Sequence, residues 1–427
     1  MMLTGLLLLL AALLGAPLFA VIAAGALLGF YRSGVDLSVV AIEMYRLVDT
    51  SALVAIPLFT FTGYLLSESR ASQRLVRLTE ALIGWLPGGL AIVALAACAF
   101  FTALTGASGV TIIALGALLY PALTRAGYGE RFSLGLITSS GSLGLLFPPS
   151  IALILYGVIA QQVGVGPPVS IDELFIAGLL PGLLMVVMLS VWCVWAGRGR
   201  VRARAAFSWR EARAAVREAL WELPLPFVIL GGIYGGYFAI SEAAAVSVLY
   251  VFVVEVLVYR EIRLAQLPAI MRDSMVLVGG VLIILAVSLA STNYLVDAEV
   301  PARLFEFVRS NVDSRIAFLI LLNVFLLVLG MMLDIFSAMI IMIPLLLPIA
   351  VGYGIHPLHL GIIFLANMQI GYFTPPVGMN LFIASYRFNK SILELYRATI
   401  PFMVILLLAV LVITYWPGLT TALLQSR

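Results

Sequence analysis

Apolar runs long enough to cross a lipid bilayer follow one another along almost the whole chain. A transmembrane helix needs about 20 apolar residues. Such runs lie near 3–29, 51–67, 133–160, 173–196, 224–239, 241–259, 274–296, 357–384 and 398–422. Only 11% of the 427 residues are charged, and no segment between the runs is long enough for a soluble catalytic domain. The sequence therefore predicts an all-α polytopic membrane protein in a lipid bilayer, and not an enzyme.

Basic residues are concentrated in one segment, 198–217. This segment contains only one acidic residue, Glu211, against seven arginines: Arg198, Arg200, Arg202, Arg204, Arg210, Arg213 and Arg217. By the positive-inside rule, we expect it on the cytoplasmic side, where it divides the chain into two halves. Because 24 basic residues nearly balance 21 acidic ones, the overall charge does not indicate a nucleic-acid partner.

Two further apolar regions, about 87–121 and 316–350, are each too long for one crossing. Each has a small or polar break near its middle: Thr105-Gly106-Ala107-Ser108-Gly109 in the first and Gly330-Met331-Met332-Leu333-Asp334 in the second. Both are predicted to be re-entrant helical hairpins, because non-helical backbone at membrane depth must be buried in protein or line a watery cavity. The alternative is two ordinary crossings joined by a short turn.

The two halves resemble each other at an offset of 227 residues. The matching pairs are Ile113 and Ile340, Leu118 and Leu345, Leu119 and Leu346, Pro121 and Pro348, Gly127 and Gly354, Gly144 and Gly371, Pro148 and Pro375, and Pro149 and Pro376. The glycine and proline matches shape the backbone and are not explained by hydrophobicity. Counting crossings outward from the Arg-rich segment places the open end of the first hairpin inside and that of the second outside. We therefore predict two inverted repeats, with binding sites where their discontinuous helices meet.

The same motif interrupts a helix after each hairpin, Gly144-Leu145-Leu146-Phe147-Pro148-Pro149 and Gly371-Tyr372-Phe373-Thr374-Pro375-Pro376. Proline lacks the N–H that continues a helix, so each break frees carbonyl groups that can bind a cation such as sodium. Two sodium (Na⁺) sites are predicted, one from Thr102, Thr105, Gly144, Phe147 and Pro148, and the other from Gly330, Gly371, Thr374 and Val377. The alternative is a pair of proline kinks with a packing role.

Broken helices also present N-terminal ends that attract anions. Polar residues near these ends could bind a carboxylated substrate: Ser108, Ser139, Asn367, Gln369 and Asn380. Asp334 joins them because an ionisable group at membrane depth is a functional candidate. The alternatives are interhelical hydrogen bonds for the neutral residues and a helix cap for Asp334. Glu242 is expected to cap the helix that follows it.

Nothing in the sequence resembles a catalytic constellation. His356 and His359 lack acidic or cysteine neighbours at metal-ligand spacing, and Cys98 and Cys193 lie singly in apolar runs, so no metal other than sodium is expected. A phosphate-binding P-loop motif is also missing from the sequence. Movement of a solute would then be driven by an ion gradient instead of ATP hydrolysis.

With these motifs, the sequence resembles the large membrane subunit of TRAP transporters, the DctM family, over essentially its whole length. The resemblance rests on the first hairpin tip and on three further segments: Gly141 to Ser150, Gly236 to Ala244, and Thr374-Pro375-Pro376-Val377-Gly378-Met379-Asn380. The chain departs from the family at Ala239-Ile240-Ser241, where the family often has Thr-Pro-Thr. This departure puts a ligand role for that stretch in doubt.

The resemblance implies a sodium-coupled importer of organic acids in the bacterial or archaeal cytoplasmic (inner) membrane. It implies an elevator movement of a transport domain (87–160 and 315–384) against a scaffold (1–86, 161–314 and 385–427). Amphipathic arms carrying Arg70, Arg74 and Arg77, and Arg303 and Arg309, would brace the scaffold. The implied partners are a small four-helix membrane subunit, expected to be a separate chain because no helix precedes Leu3, and a periplasmic substrate-binding protein.

Two other functions compete with this one. A self-sufficient sodium–carboxylate symporter of related architecture would need no binding protein. An intramembrane enzyme or a passive channel is disfavoured, because paired catalytic groups and continuous polar pore stripes are missing from the predicted spans. The sequence does not specify which carboxylate is carried, since C4-dicarboxylates, sialic acid and keto acids are all carried within the resembling family.

Overall fold

The computed structural model describes residues 7–8, 10–12, 14–47, 50–86, 88–197 and 207–424. Within these ranges, the regular secondary structure is helical. The predicted crossing at 3–29 lies partly outside the described residues. Of the Arg-rich segment, Arg198, Arg200, Arg202 and Arg204 also lie outside them.

The first half contains nine described α-helices. They are α1 (Leu18–Ser33), α2 (Ser38–Arg46), α3 (Ala55–Glu68), α4 (Ala71–Ile83), α5 (Gly89–Thr105), α6 (Ser108–Arg125), α7 (Glu130–Ser140), α8 (Ile151–Val163) and α9 (Ile171–Gly197). A 3₁₀ turn, Leu143–Leu146, lies between α7 and α8.

The second half continues with eleven described α-helices. They are α10 (Trp209–Glu218), α11 (Pro224–Tyr234), α12 (Ile240–Phe252), α13 (Leu267–Asp297), α14 (Val300–Asn311), α15 (Arg315–Met332), α16 (Ile335–Gly352), α17 (Pro357–Gly371), α18 (Met379–Phe388), α19 (Ile392–Tyr415) and α20 (Gly418–Thr421). A π-helical segment, Val253–Val258, extends α12.

Eight of the described helical segments are long and apolar enough to cross a membrane, and they contain α3, α6, α9, α12, α13, α15, α16 and α19. The pair α7 and α8, bent by 44° at the break between them, would make a ninth. The chain is a multi-pass membrane protein, as predicted. Five predicted crossings, 51–67, 173–196, 241–259, 274–296 and 398–422, correspond to α3, α9, α12, α13 and α19.

The prediction of a full crossing over 224–239 was wrong. Helix α11 has only 11 residues, which at 1.5 Å per residue gives about 16 Å, roughly half the hydrocarbon thickness. The helix ends because Gly235 and Gly236 follow it, and Gly236 adopts a φ of +72° that a glycine reaches without strain. The start of α12 behaves as predicted, since the Glu242 carboxylate accepts the Ala239 N–H at 2.8 Å.

The helices pack as two groups. In one group, α13 lies along α1, α2 and α3, and α12 lies along α3. The other group interleaves α5 to α9 with α15 to α19, and in it all 15 residues of α17 are buried. The groups meet where α3 and α4 contact α5, and where α13 and α14 contact α16. The helix–break–helix units therefore lie together, around a buried α17.

The internal offset of 227 residues reappears in the helix boundaries. Helix α6 and helix α16 each have 18 residues, and both their first and last residues differ by this offset. Their contacts are reciprocal, because α6 packs on α18 of the other half and α16 packs on α8. Ser142 donates a hydrogen bond to the carbonyl of its own repeat partner, Gln369, at 2.9 Å. Reciprocal contacts of this kind are the pattern that a two-fold axis produces.

The amphipathic arm α4 is held by an arginine buried among three glutamates. The guanidinium of Arg74 bonds Glu222 through Nε, Glu261 through Nη1 at 2.5 Å and Glu255 through Nη2 at 3.2 Å. The ring of Tyr259 lies 4.0 Å from the Arg74 Cζ atom. Arg74 is only 5% exposed. The arm is thus joined to the ends of α11 and α12 by a charged cluster that the sequence did not reveal.

Candidate functional site

The first helix break lies directly against α5. A Cβ atom on Gly144 would lie 2.3 Å from the Ala103 nitrogen, 2.3 Å from the Ala99 carbonyl oxygen and 2.6 Å from the Thr102 Cβ. Only a residue without a side chain allows this approach of two backbones. The structure therefore brings together Gly144 and Thr102, both predicted for the first sodium site.

The hydroxyl groups beside this break differ in their bonding. The Thr102 hydroxyl donates to the Gly141 carbonyl at 2.8 Å and lies 2.7 Å from the Thr111 hydroxyl. The Thr105 hydroxyl is buried and has no hydrogen-bond partner among the described residues. Buried polar groups are normally bonded. Thr105 Oγ1 is therefore an oxygen available to a ligand.

The remaining predicted residues of the first site form the exit from the 3₁₀ turn. The Phe147 N–H donates to the Gly144 carbonyl at 3.0 Å, while the Phe147 ring packs on Gly182 of α9. Pro148 is joined to Pro149 by a cis peptide bond. Phe147 and Pro148 also line a largely apolar cavity of about 320 Å³ between α5, α9 and α11. The turn thus uses one lone pair of the Gly144 carbonyl, and the second lone pair stays free for a ligand.

The second break repeats the close approach of the first. A Cβ atom on Gly371 would lie 2.5 Å from the Cα of Gly330 in α15. The contacting positions Ala103 and Gly330 differ by the same 227 residues as Gly144 and Gly371. The peptide bond between Pro375 and Pro376 is also cis. The two predicted sites are therefore built alike.

The other two residues predicted for the second site have different surroundings. The Thr374 hydroxyl donates to the Ile370 carbonyl at 2.8 Å and is buried. The Thr374 carbonyl accepts the Gly378 N–H at 3.2 Å. The Val377 side chain is 45% exposed, so only its backbone could join a buried site.

Two of the predicted substrate residues, Ser108 and Asn380, contact each other. The Ser108 hydroxyl donates to Oδ1 of Asn380 at 2.8 Å, and Nδ2 of Asn380 donates to the Thr138 carbonyl at 3.4 Å. Ser108 is the first residue of α6 and Asn380 the second of α18, and neither helix start has a side-chain cap. At the start of α18, the Asn380 N–H donates to the Tyr372 carbonyl at 2.8 Å and the Leu381 N–H to the Gly378 carbonyl at 2.9 Å. Of the two helix starts, only that of α6 therefore brings free N–H groups to this buried pair in the described part of the chain, which favours an anion there.

Asp334 and Ser139 bond within their own helices. Asp334 caps α16, since its Oδ1 accepts the Phe336 and Ser337 N–H groups, each at 3.0 Å. The Ser139 hydroxyl donates to the Gly135 carbonyl at 2.7 Å. For Asp334 this is the alternative role that the sequence left open, whereas the bond of Ser139 is intrahelical and not the interhelical one considered for it.

Asn367 and Gln369 project from the buried helix α17 toward other partners. Nδ2 of Asn367 donates to Oδ1 of Asn323 at 2.7 Å, and Nε2 of Gln369 donates to the Met185 sulfur at 2.7 Å. In the described part of the chain, Oδ1 of Asn367 and Oε1 of Gln369 are buried without partners. No hydrogen bond between described residues links either side chain to the Ser108–Asn380 pair.

Comparison with known proteins agrees with this architecture. The family described as "Tripartite ATP-independent periplasmic transporter, DctM component" matches residues 2–419. The chain belongs to the DctM family. It is 36% identical over 384 residues to the C4-dicarboxylate TRAP transporter large permease protein DctM of Pseudomonas aeruginosa, covering 90% of this chain and 88% of that protein. The resemblance seen in the sequence is confirmed, and the chain is a TRAP transporter large permease subunit.

A second relative is longer than this chain. The isethionate TRAP transporter permease protein DctMQ of Oleidesulfovibrio alaskensis is 33% identical over 409 residues, which are 95% of this chain and 62% of that protein. Among solved structures, the YdaH transporter of Alcanivorax borkumensis matches with a TM-score of 0.62 at 15% identity, covering 86% of this chain and 85% of that one. At this identity, the likeness shows a shared fold alone.

One residue of this DctM chain that sequence reasoning missed is Ser150. It is the N-cap of α8, yet its hydroxyl does not cap the helix and, within the described ranges, has no partner. The N–H groups of Ile151, Ala152 and Leu153 also have no acceptor among the described residues. All four residues are at most 2% exposed. An uncapped helix start buried in protein indicates a missing partner, and the signal in the sequence was a serine directly after two prolines.

Proposed function

We propose that this DctM protein moves organic anions into the cell across the bacterial inner membrane, driven by a sodium gradient. The observation that carries the proposal is the pair of helix breaks, one from Gly144 to Pro149 and the other from Gly371 to Pro376. Each break packs against one helix of a hairpin, the first against α5 and the second against α15, at equivalent positions. The backbones are so close that a Cβ on Gly144 or Gly371 would lie within 2.5 Å of that helix. Such breaks combine carbonyl oxygens with helix N-termini in one place.

The acceptor groups at each break suit sodium. The first site would use the Thr102 and Thr105 oxygens and the carbonyls of Gly144, Phe147 and Pro148. The unpartnered Thr105 hydroxyl supports this assignment. The second would use Thr374 and the carbonyls of Gly330, Gly371 and Val377. Carbonyl and hydroxyl oxygens are the ligands that hard cations prefer.

The donor groups suit an anionic substrate. Ser108, which bonds Asn380, lies at the uncapped start of α6, and Ser150 with the free N–H groups of α8 forms a second uncapped start. A carboxylate bound there would accept hydrogen bonds from these N–H and hydroxyl groups, which otherwise have no acceptor among the described residues. The names of the two relatives, a C4-dicarboxylate and an isethionate transporter, are those of anionic solutes. Because sodium and carboxylate would bind to adjacent parts of a break, each would stabilise the other.

The arrangement of the helices supports alternating access by inverted repeats. The reciprocal contacts of α6 with α18 and of α16 with α8 support two repeats related by a pseudo-two-fold axis. The buried tip of the first hairpin, where Thr105 is 0% and Ser108 3% exposed, favours a re-entrant hairpin over a turn at the membrane surface. In an elevator movement, the helices of the proposed transport domain, α5 to α8 and α15 to α18, would slide against the scaffold helices α1 to α3, α12 and α13.

A small membrane subunit and a periplasmic binding protein complete the proposed transporter. The longer relative from Oleidesulfovibrio supports the first, because its name joins DctM with DctQ and this chain spans 62% of its length. The family description, tripartite and periplasmic, supports the second. A symporter that needs no binding protein is the competing possibility.

Uptake into proteoliposomes tests the proposal. The vesicles would hold this chain and its small subunit, with radiolabelled succinate or isethionate outside, with and without the binding protein and an inward sodium gradient. Uptake that requires both additions is expected. Uptake without the binding protein would support the self-sufficient symporter, and uptake indifferent to sodium would exclude the two cation sites.

A further inference from the structure

A groove of about 660 Å³ opens where α7 begins, α9 ends and α19 begins. We call it the arginine groove. The residues that line it include two arginines and four aromatic residues: Arg131, Arg397, Tyr128, Phe132, Trp192 and Trp195. None of the residues proposed to bind sodium or substrate lines it. The groove is therefore a feature that the transport function leaves unexplained.

Both arginines of the groove lack an ion-pair partner within the ranges that the structure describes. Among the described residues, neither Arg131 nor Arg397 forms a salt bridge, and no carboxylate lines the arginine groove. The same two arginines also line a neighbouring cavity of about 260 Å³, together with Glu130, Lys390 and Glu394. The nearby carboxylates have other partners, since Glu130 pairs with Lys390 and Glu394 accepts the Ser391 N–H at 3.2 Å. In the described part of the chain, two positive charges thus face the arginine groove, and the carboxylates near them line the neighbouring cavity instead.

The aromatic wall places this groove at a membrane surface. Trp192 and Trp195 lie with ring centroids 5.0 Å apart, and Trp195 is 60% exposed. Tryptophan and tyrosine are enriched where hydrocarbon meets headgroups. The indole N–H of Trp192 is buried and finds no acceptor in the part of the chain that the structure describes. Helix α9 ends at Gly197, immediately before Arg198 and Arg200 in the sequence, so the groove belongs to the basic, cytoplasmic side of the membrane.

We propose that the arginine groove binds the headgroup of an anionic phospholipid from the cytoplasmic leaflet. A phosphodiester can accept hydrogen bonds from both guanidinium groups at once. The aromatic side chains would contact the glycerol and the first acyl carbons, which a soluble phosphate does not have. Basic pockets between membrane helices are suited to lipids with anionic headgroups. The bound lipid would bridge α7, α9 and α19, which belong to different halves of the chain.

Native mass spectrometry of the full chain with its small subunit tests this proposal. The complex would be titrated with phosphatidylglycerol, cardiolipin and phosphatidylcholine, and the double variant Arg131→Gln/Arg397→Gln compared with the wild type. We expect the anionic lipids to bind, phosphatidylcholine not to bind, and the double variant to bind roughly tenfold more weakly or worse. The matched control is Arg303→Gln/Arg315→Gln, which removes the same charge from two other exposed arginines and is expected to bind as the wild type does.

Three results would overturn the proposal. The first is unchanged binding of phosphatidylglycerol by the double variant. The second is equal binding of inorganic phosphate, which would make the groove a site for a free anion. The third is lipid binding by the isolated chain that disappears with the small subunit present, which would make the groove a subunit interface. Melting temperatures in phosphatidylcholine, expected to be equal for all variants, control for folding.

Discussion

At the scale of single residues, the most informative atom is the hydroxyl of Ser150. It is buried and unpartnered at the start of α8. We expect Ser150→Ala to raise the KM for substrate about tenfold, because a hydrogen bond to a charged group contributes about 1.5–3 kcal/mol. Uptake kinetics with varied substrate and varied sodium would measure this.

The same variant distinguishes three roles for Ser150. In the absence of substrate its melting temperature should not fall, because the removed hydroxyl has no partner among the described residues. The control is Ser247→Ala, which removes a buried hydroxyl that donates to the Ala243 carbonyl at 2.6 Å and should leave KM unchanged. If Ser150→Ala instead raised the sodium requirement alone, the hydroxyl would belong to the cation site. If it changed neither affinity, only water would occupy the site.

The glycines at the two breaks make a second prediction at this scale. In Gly371→Ala, the new Cβ would lie 2.5 Å from the Gly330 Cα, so backbone must move. We expect a loss of about 1–3 kcal/mol of stability, as for other overpacked sites, together with a loss of sodium-dependent uptake. The control is Gly279→Ala in α13, where the new Cβ meets nothing within 4 Å. A normal melting temperature and normal uptake for Gly371→Ala would contradict the close-packed break.

At the scale of elements, Arg74 decides how the arm α4 is held. Arg74→Ala would leave Glu222, Glu255 and Glu261 facing one another without their common cation. Removing one partner of a buried ion pair costs about 3–5 kcal/mol. We expect thermal unfolding of the purified protein to report a loss of this size. Arg77→Ala, whose partners Glu211 and Glu218 are about half exposed, should lower the melting temperature far less, because water screens exposed ion pairs.

The same cluster gives stability a dependence on pH. Burial raises the pKa of Glu222 in the folded protein, while the positive charge of Arg74 opposes the rise. A carboxyl whose pKa is raised on folding binds its proton more tightly in the folded state, so its contribution to stability is present at low pH and is lost as pH rises. Without Arg74 the opposing charge is gone. We therefore expect acidification from about pH 8 to about pH 5 to raise the melting temperature of Arg74→Ala more than that of the wild type. An equal pH dependence in both proteins would contradict this account.

At the scale of the whole molecule, the question is whether the two helix groups move against each other. Gly63 of α3 lies at their boundary, where an added Cβ would be 2.5 Å from the Thr105 Cα. If the groups move, Gly63→Ala should destabilise only the conformation in which α3 packs on Thr105. The protein should then populate a conformation in which the two groups are displaced from each other. Labelling of Thr105→Cys by a membrane-impermeant thiol reagent should then increase, with the native cysteines, both buried, contributing little background.

Gly371→Ala provides the comparison within a single group. In a molecule that moves as one rigid body, Gly63→Ala and Gly371→Ala would lower the melting temperature alike, and labelling at position 105 would not increase. In an elevator, Gly63→Ala would keep a melting temperature near that of the wild type. Gly231→Ala in α11, whose new Cβ meets nothing within 4 Å, controls for the change of residue type.

The sequence by itself determined the class of fold, the internal repeat and the family. Long apolar runs admit few structures other than membrane helices, and paired prolines after a glycine break a helix wherever they occur. These are local properties of the chain, so the breaks at Gly144 and Gly371 could be located without a structure. The 11-residue length of α11 was missed, because apolar residues continue past its end at Gly235 and only the backbone turn stops it.

Only the tertiary structure decided which polar groups meet. Ser108 and Asn380 are 272 residues apart, and Arg74 lies 148 residues or more from Glu222, Glu255 and Glu261. The sequence could not separate Asn380, which joins Ser108, from Asn367, which pairs with Asn323. Nor could it reveal that Ser150 lacks a partner. Whether a buried polar atom is satisfied depends on atoms brought to it by packing, and packing is a property of the folded molecule.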